Sequence, residues 1–515
     1  SELQESTQSA FLEKNRFRYE TLQQWLIEAG RFAEAEQVGR MLKEQEYFEF
    51  IRRRAIGDDP RDSRIGLSSR ETEWQAQIEA LAARPNALAA ERNALQALDT
   101  LDETQTAQLE SLKVAYSAAY KDYREGLTAW RTEISALEDA KLSAETKAVN
   151  DALTREQRRQ IAAAGADVAL LQIVPLKEDL HFFLTTPTAF VHESVPAKRT
   201  DLLTLIGETR ASITLGDPSR AGGPASGGSA DATELYNQLS KLHEQLIAPI
   251  EQHLDDAGTQ TLILNLQGAL RYAPMAALYD AARADRQHLT ERYRLVLYTP
   301  NGLNTGEASS APTGARGFGV SQQHGTFSAL PAVRTEMDAI FHWEDGQGVF
   351  TGTPAVDTDF TRDALASGLS DAPGIVHIAS HFSLQPGDTD KSFLLLGDGN
   401  PLSLSEFSYS EDLRFDGVDL LTLSACSTAL GGDGAEIDSF GAMAQDLGAQ
   451  AVVATLWNVA DDATASLMTG FYSGYATGGL SRAEALRQAQ VDLIKSEDRS
   501  HPYYWAPFIL MGDWR

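Results

Sequence analysis

Apolar positions along this chain follow three different rhythms. Over residues 17–54 they recur at helical spacing on either side of "EAGRF", which predicts two amphipathic helices joined near Gly30. Between residues 70 and 160, Ala, Glu, Gln, Lys and Arg dominate. There Leu109, Leu112, Tyr116, Ala119 and Tyr123 keep a 3–4 spacing, continued after one shift by Leu127, Trp130, Ile134 and Leu137. Such a stripe belongs to a long helix facing a partner helix. The stretch around Leu95 and Leu98, with Pro85 near a turn, is its expected antiparallel mate. From about residue 167 short apolar runs alternate with helical stretches. "VALLQIVPLKEDLHFFLTTPTAFVHESV" predicts a meander of strands, followed by a helix from Asp201 and another over 233–254. The second helix leads into "TLILNLQGALRYAPMAALYD", and further strands are expected at Leu295–Tyr298, Gly317–Ser321, Gly374–Ala379, Val418–Ser424 and Gln450–Leu456.

The pattern divides the chain into a helical region 1–66, a long amphipathic hairpin or coiled coil 67–165, and an α/β domain 166–515. The last is split near 310 into a first and a second half. The expected architecture is a mostly parallel sheet flanked by helices. In such sheets ligands gather beyond the carboxyl ends of the strands. The Gly-, Pro-, Ala- and Ser-rich segment 216–232 reads as a loop without apolar anchors.

Composition narrows the function classes. A hydrophobic fraction of 43% and a charged fraction of 23% over 515 residues describe a globular chain of several domains. No run is long and apolar enough to predict a membrane span, and the polar start has no signal-peptide pattern. It opens on Ser1 rather than Met, as expected of a segment with sequence upstream. The net charge of −29 repels phosphate backbones, arguing against nucleic acid and for a basic partner or substrate segment. One cysteine cannot form an internal disulfide, which fits a reducing cytoplasm. The ten histidines are scattered apart from His377 and His381, and without CxxC or HExxH no metal or cofactor is expected. Oligomeric state is not encoded in any of these features.

That single cysteine stands in "LLTLSACSTALGG", at the end of an apolar run and before a small-residue turn. Most lone cysteines are small core hydrophobes. This one has a counterpart: "GIVHIASH" puts His381 just past another apolar run, 45 residues earlier. A thiol needs a base or cation beside it, because the thiolate is the species that attacks. Adjacent parallel strands joined by a helical crossover bring such ends together. His377, inside the apolar "IVHIA", reads instead as a satisfied core histidine.

The segments "IVHIASHF", "SFLLLGDG", "DLLTLSACSTALGG", "GAQAVVATLWNVADDATASLMTGFY" and "HPYYWAPFILMGDW", in this order, resemble a CHAT domain. That is the caspase-like peptidase domain of the clan that includes separases and metacaspases. The resemblance spans roughly residues 167–515. Residues 17–54, with Trp25, Leu26, Gly30, Phe32, Ala33 and Ala35, resemble one tetratricopeptide unit of the kind that often precedes this domain; an ordinary helical hairpin is the other reading.

The resemblance implies a cysteine endopeptidase acting on a protein substrate. Cys426 would be its nucleophile and His381 its general base and acid, with oxyanion donors from the backbone of Cys426 and Phe382. Many relatives have Gly after the histidine; here Phe382 stands there, with a side chain expected to narrow the site. In "LWNVADDATA", Asp461 falls where relatives carry an acid favouring Arg or Lys before the cleaved bond; equally, Asp461 or Asp462 opens a helix. Asp433 and Glu436 rim the cleft or solvate a loop, and Trp457 packs or lines the pocket. The resemblance further implies regulation by a partner at the N-terminal helices, and bacterial roles in antiviral defence or programmed cell death. The rival readings are a silent scaffold of the same fold and another cysteine enzyme, such as an acyl transferase or amidase.

Overall fold

The computed structural model describes residues 16–51, 69–96, 102–135, 140–215, 229–283, 287–300, 302–303, 314–342, 348–384, 390–428, 435–457, 459 and 461–515. They fall into two compact units, one holding residues up to 51 with those from 154 onward, the other those from 69 to 153.

The first two helices, α1 (16–28) and α2 (Phe32–Ile51), turn at Ala29–Gly30. Gly30 has φ +71°, Arg31 N–H donates to the Leu26 carbonyl at 2.8 Å, and Gly30 N–H donates to that of Ile27 at 3.0 Å. This double bond pattern is a Schellman stop, which needs a left-handed residue and so favours glycine. Leu26, Ala33, Ala35, Val38 and Leu42 are buried, while Trp25 stays 61% exposed.

The helices α3 (Ser69–Gln96) and α4 (Glu103–Ser135) pack as the stripe predicts, with Leu112 and Ala119 buried and Leu81 close against Gly126. Pro85 is no turn: it lies inside α3, which continues on both sides of it. The ring removes one backbone donor, a cost that packing along α4 offsets. Leu98 and Leu137 lie outside the described residues, as do the side chains of Leu127, Trp130 and Ile134. Helix α5 (Ala140–Ala164) leads into the α/β domain.

Strands β1 (Val168–Pro175), β2 (Asp179–Thr185) and β3 (Phe190–Pro196) form the antiparallel meander. After α6 (Arg199–Leu215), α7 (Ser229–Leu246) and α8 (Ala248–Asp256), β4 (Thr261–Leu266) pairs parallel to β1. The single helix expected over 233–254 is two, broken at Ile247 because Pro249 starts a new helix more easily than it continues one. The short strands β5 (Tyr279–Asp280) and β6 (Gln287–His288) pair with each other, and helix α9 (Leu289–Arg292) leads to β7 (Arg294–Leu297), parallel to β4.

The second parallel set contains β8 (Ala315–Gly319), β9 (Ala355–Val356), β10 (Ile375–Leu384), β13 (Leu420–Thr428) and β14 (Ala451–Thr455). Strands β11 (Phe393–Leu395) and β12 (Pro401–Ser403) extend it antiparallel from the far half of β10. Strand β15 (Phe508–Gly512), antiparallel to β14 and parallel to β7, joins the two sets into one 13-stranded sheet among the described residues. Helices α10 (Ala332–Ile340), α11 (Arg362–Ser370), α12 (Leu404–Tyr409), α13 (Ala435–Asp446), α14 (Asp461–Tyr472) and α15 (Arg482–Ile494) flank it. Alternate residues of the central strands meet helices on opposite faces. Ile378, Leu421 and Leu423 pack with Phe407 of α12 and Met443 of α13, while His377 and Thr422 reach α10 and α14. Among the described residues no helix is long and apolar enough to cross a membrane.

Packing between β6 and the C-terminal segment makes the first half acid-labile. His288 is 3% exposed, lies beside Tyr279 and Trp505, and donates from Nδ1 to the Ala277 carbonyl at 2.8 Å. Burial, opposed in part by that hydrogen bond, pushes its pKa down to about 4. The folded chain therefore binds fewer protons here than the unfolded one. This stability is present above pH ~6.5 and is lost as pH falls toward about 4, a change of order 3 kcal/mol. Thermal midpoints measured across that window are expected to fall with pH, and His288→Phe to flatten the slope; an unchanged slope would refute the assignment.

Candidate active site

Strands β10 and β13 lie side by side in parallel, from Ile375–Leu420 to Leu384–Thr428. Between the pairs Ala379–Ser424 and Phe382–Cys426 the pairing advances three residues on β10 and two on β13. The extra residue makes a bulge at Ser380–His381, a device that re-aims a side chain where a sheet meets a site. His381 and Cys426 thus sit within one residue of register on neighbouring strands, whose backbones are about 4.8 Å apart. Both residues lie inside the strands rather than just past them, because each strand continues in ladder hydrogen bonds to residue 384 or 428.

His381 is half-buried. Its Nε2 lies 2.8 Å from the Ser328 carbonyl, and its ring packs beside Phe327, which stands edge-on to Phe393 of β11. A carbonyl only accepts, so Nε2 carries the proton and Nδ1 is the ring's lone pair, the atom able to take a proton. The preceding Ser380 hydroxyl donates to the Leu395 carbonyl at 2.6 Å, tying the bulge to β11.

Phe382 does not narrow the cleft. It is 3% exposed and packs against Ile378, Leu394 and Phe407, and its backbone pairs with Leu394 on one side and Cys426 on the other. Trp457 is buried just beyond β14; its Nε1 donates to the Tyr503 carbonyl at 3.2 Å and the Arg210 guanidinium stands 5.6 Å from its ring. Asp461 is the first residue of α14, and Glu436 lies in the first turn of α13. The side chains of Cys426, Glu436 and Asp461, and all of Asp433, lie outside the described residues.

Behind His381 and Cys426 lie a loop and a set of partners for the core histidine His377, neither of them marked in the sequence. Between β8 and α10, residues 321–330 close on themselves: Leu330 N–H donates to the Ser321 carbonyl at 3.0 Å, and His324 and Phe327 exchange backbone bonds at 3.1 and 2.9 Å. This loop presents the Ser328 carbonyl to His381. A backbone atom does this, so no residue type marks it. Beneath the strands, His377 meets Glu336 of α10 and Tyr472 of α14, and Tyr472 donates to Thr422 of β13.

Among the described residues one cluster has metal-ligating side chains: atoms of His243, Glu251 and Asp280 lie within 4.8 Å of one another. Arg292 pairs with Glu251 and, at 2.9 Å, with Asp255, while Arg283 reaches Glu251 at 3.3 Å. Arginines therefore already stand against both carboxylates, Asp280 meeting Arg292 at 3.9 Å.

Fold and strand register define a caspase-like protein of mixed α/β class. The family model of the CHAT domain matches residues 237–513, and the chain belongs to that family. Two crystal structures of the Saccharomyces cerevisiae separase–securin complex are similar at 11% identity. The 3.0 Å structure has a TM-score of 0.39 over 96% of this chain and 44% of the other. The 2.6 Å structure has 0.38 over 99% and 46%. The chain thus spans less than half the length of those chains. No curated protein sequence matches it.

Proposed function

We propose that this chain is a cysteine endopeptidase that cleaves a protein substrate through a His381–Cys426 dyad. The observation that carries the proposal is the register of β10 and β13, which sets the two residues on adjacent strands with Nδ1 of His381 as the accepting atom. The Cys426 thiolate attacks the scissile carbonyl, forming an S–C bond; the imidazolium protonates the departing amine as the C–N bond breaks. Water, deprotonated by His381, then hydrolyses the thioester and returns the thiol. Backbone N–H groups, those of Cys426 and Phe382 being the candidates, stabilise the oxyanion.

Asp461 at the start of α14, with Asp433 and Glu436 after Cys426, favours a basic residue before the cleaved bond, in keeping with the net charge of −29. Trp457 packs behind this end of the sheet. The chain acts without cofactor, and a reducing cytoplasm suits its thiol. Control by a partner at the N-terminal helices is supported by packing: α2 lies against α13, the next helix after Cys426. Phe32 of α2 also stacks on His192 of β3 at 3.9 Å.

Peptidyl acyloxymethyl ketones with Arg, Asp or Leu next to the warhead test the proposal. Wild type is expected to form a covalent adduct, most readily with Arg, and Cys426→Ala none. Absence of any adduct on wild type would favour the scaffold, and preference for Asp or Leu would remove Asp461 from the pocket. Peptide libraries read by mass spectrometry would reveal cleavage or, instead, conjugation by an acyl transferase.

A further inference from the structure

Asp357 adopts φ +55°, one of two left-handed residues other than glycine among those described. Left-handed backbone is strained for most side chains and persists where the surroundings hold it. They do so here. Gly397 approaches so closely that a Cβ there would fall 1.7 Å from the Asp357 carbonyl oxygen. The buried side chain accepts from Ser321 N–H at 2.6 Å, from Ser321 Oγ at 2.9 and 2.7 Å, from Gln322 N–H at 3.1 Å and from Arg334 Nη2 at 3.3 Å.

Ser321 and Gln322 begin the loop that carries Ser328; Arg334 stands in the helix that ends it. One carboxylate therefore grips the loop at both ends. Burial acts to raise this carboxyl's pKa, but the hydrogen bonds from Ser321, Gln322 and Arg334 outweigh it and hold the group below the usual aspartate range.

We propose that Asp357 is a positioning residue for the His381 base: it fixes the 321–330 loop so that the Ser328 carbonyl holds Nε2–H and leaves Nδ1 to accept the proton. Asp357 acts through the loop and touches no reacting atom. The inference rests on the dyad proposed above, and its test separates the two.

Cys426 is the chain's single thiol, so its alkylation by iodoacetamide reports on this site alone. At about pH 9 a free thiol ionises unaided; at about pH 6 its reactivity depends on a neighbouring imidazole. His381→Ala is expected to lower the wild-type rate at about pH 6 tenfold or more and to leave the rate at about pH 9 within about twofold. Asp357→Gly, which relieves the backbone and deletes the carboxylate, is expected to do the same. Asp357→Asn, which tolerates the left-handed backbone and keeps one acceptor, is expected to lower the ratio of the two rates by about threefold.

If His381→Ala loses the reactivity at low pH and Asp357→Gly keeps it, the dyad stands and the positioning role is overturned. If His381→Ala itself reacts like wild type, the dyad reading falls and takes the positioning role with it. Should circular dichroism show the glycine variant unfolded, the asparagine variant decides, and an unchanged ratio overturns the proposal.

Discussion

His381→Ala is expected to slow peptide cleavage by about 10²–10⁴-fold, the usual worth of a positioned general acid and base. In the proposed mechanism both halves of the reaction use the imidazole, first to ionise the thiol and protonate the amine, then to activate water. The loss should therefore fall on kcat, with KM changed little. Folding should barely notice. The ring is half-buried, with the Ser328 carbonyl and the Phe327 ring beside it, and a carbonyl on an exposed residue can accept from water where it stands. Removing such contacts costs about 1 kcal/mol. Steady-state kinetics on a peptide selected from the library, beside a thermal melt of the same preparation, checks both statements. Activity within a few fold of wild type would remove His381 from the chemistry. A large drop in the melting midpoint would show that its role was structural.

The parts of this site that were legible in the sequence are those written in side-chain type and period. "IVHIASH" and "LLTLSAC" announce themselves as buried strands ending in a histidine and a thiol, and the apolar run around His377 assigns it to the core, where it lies. The bulge at Ser380–His381 carries no such mark, because one extra residue disturbs neither run. That is why the expected strands stop at Ala379 and Ser424 while the ladders continue to Leu384 and Thr428. The Ser328 carbonyl is backbone, and Asp357 in "PAVDTDF" looks like any helix-capping aspartate until φ is known. Joining the two halves through Met511 and Leu297 depends on a pairing more than 200 residues apart, beyond any local pattern. Pro85 and Pro249 show tertiary context deciding the same signal differently. Packing carries the helix through the first; at the second a new helix starts.

His377→Leu is expected to destabilise the α/β domain by about 2–4 kcal/mol, the cost of leaving two buried polar neighbours without their partner. His377 is 0% exposed and Glu336 3%. Nε2 lies 3.1 Å from Glu336 Oε1, close enough to pair but poorly aligned as a hydrogen bond. Nδ1 lies 2.9 Å from the Tyr472 hydroxyl, which gives its own proton to Thr422 Oγ1 at 2.8 Å and so accepts from the imidazole. Burial keeps Tyr472 protonated by raising its pKa, although the Thr422 bond acts the other way. Leucine would leave the Glu336 carboxyl group without its polar neighbour and the Tyr472 oxygen without a donor. Replacing both members of the pair should cost less than replacing one, because an apolar pair of similar volume needs no partners. The double variant Glu336→Leu/His377→Leu is therefore expected to recover at least half of the loss. Urea unfolding of the two single variants and the double one, read as a cycle, gives the coupling directly. A single-variant loss under about 1 kcal/mol, or a double variant worse than either single, would show that the pair is not what binds α10 to the strand bearing His381.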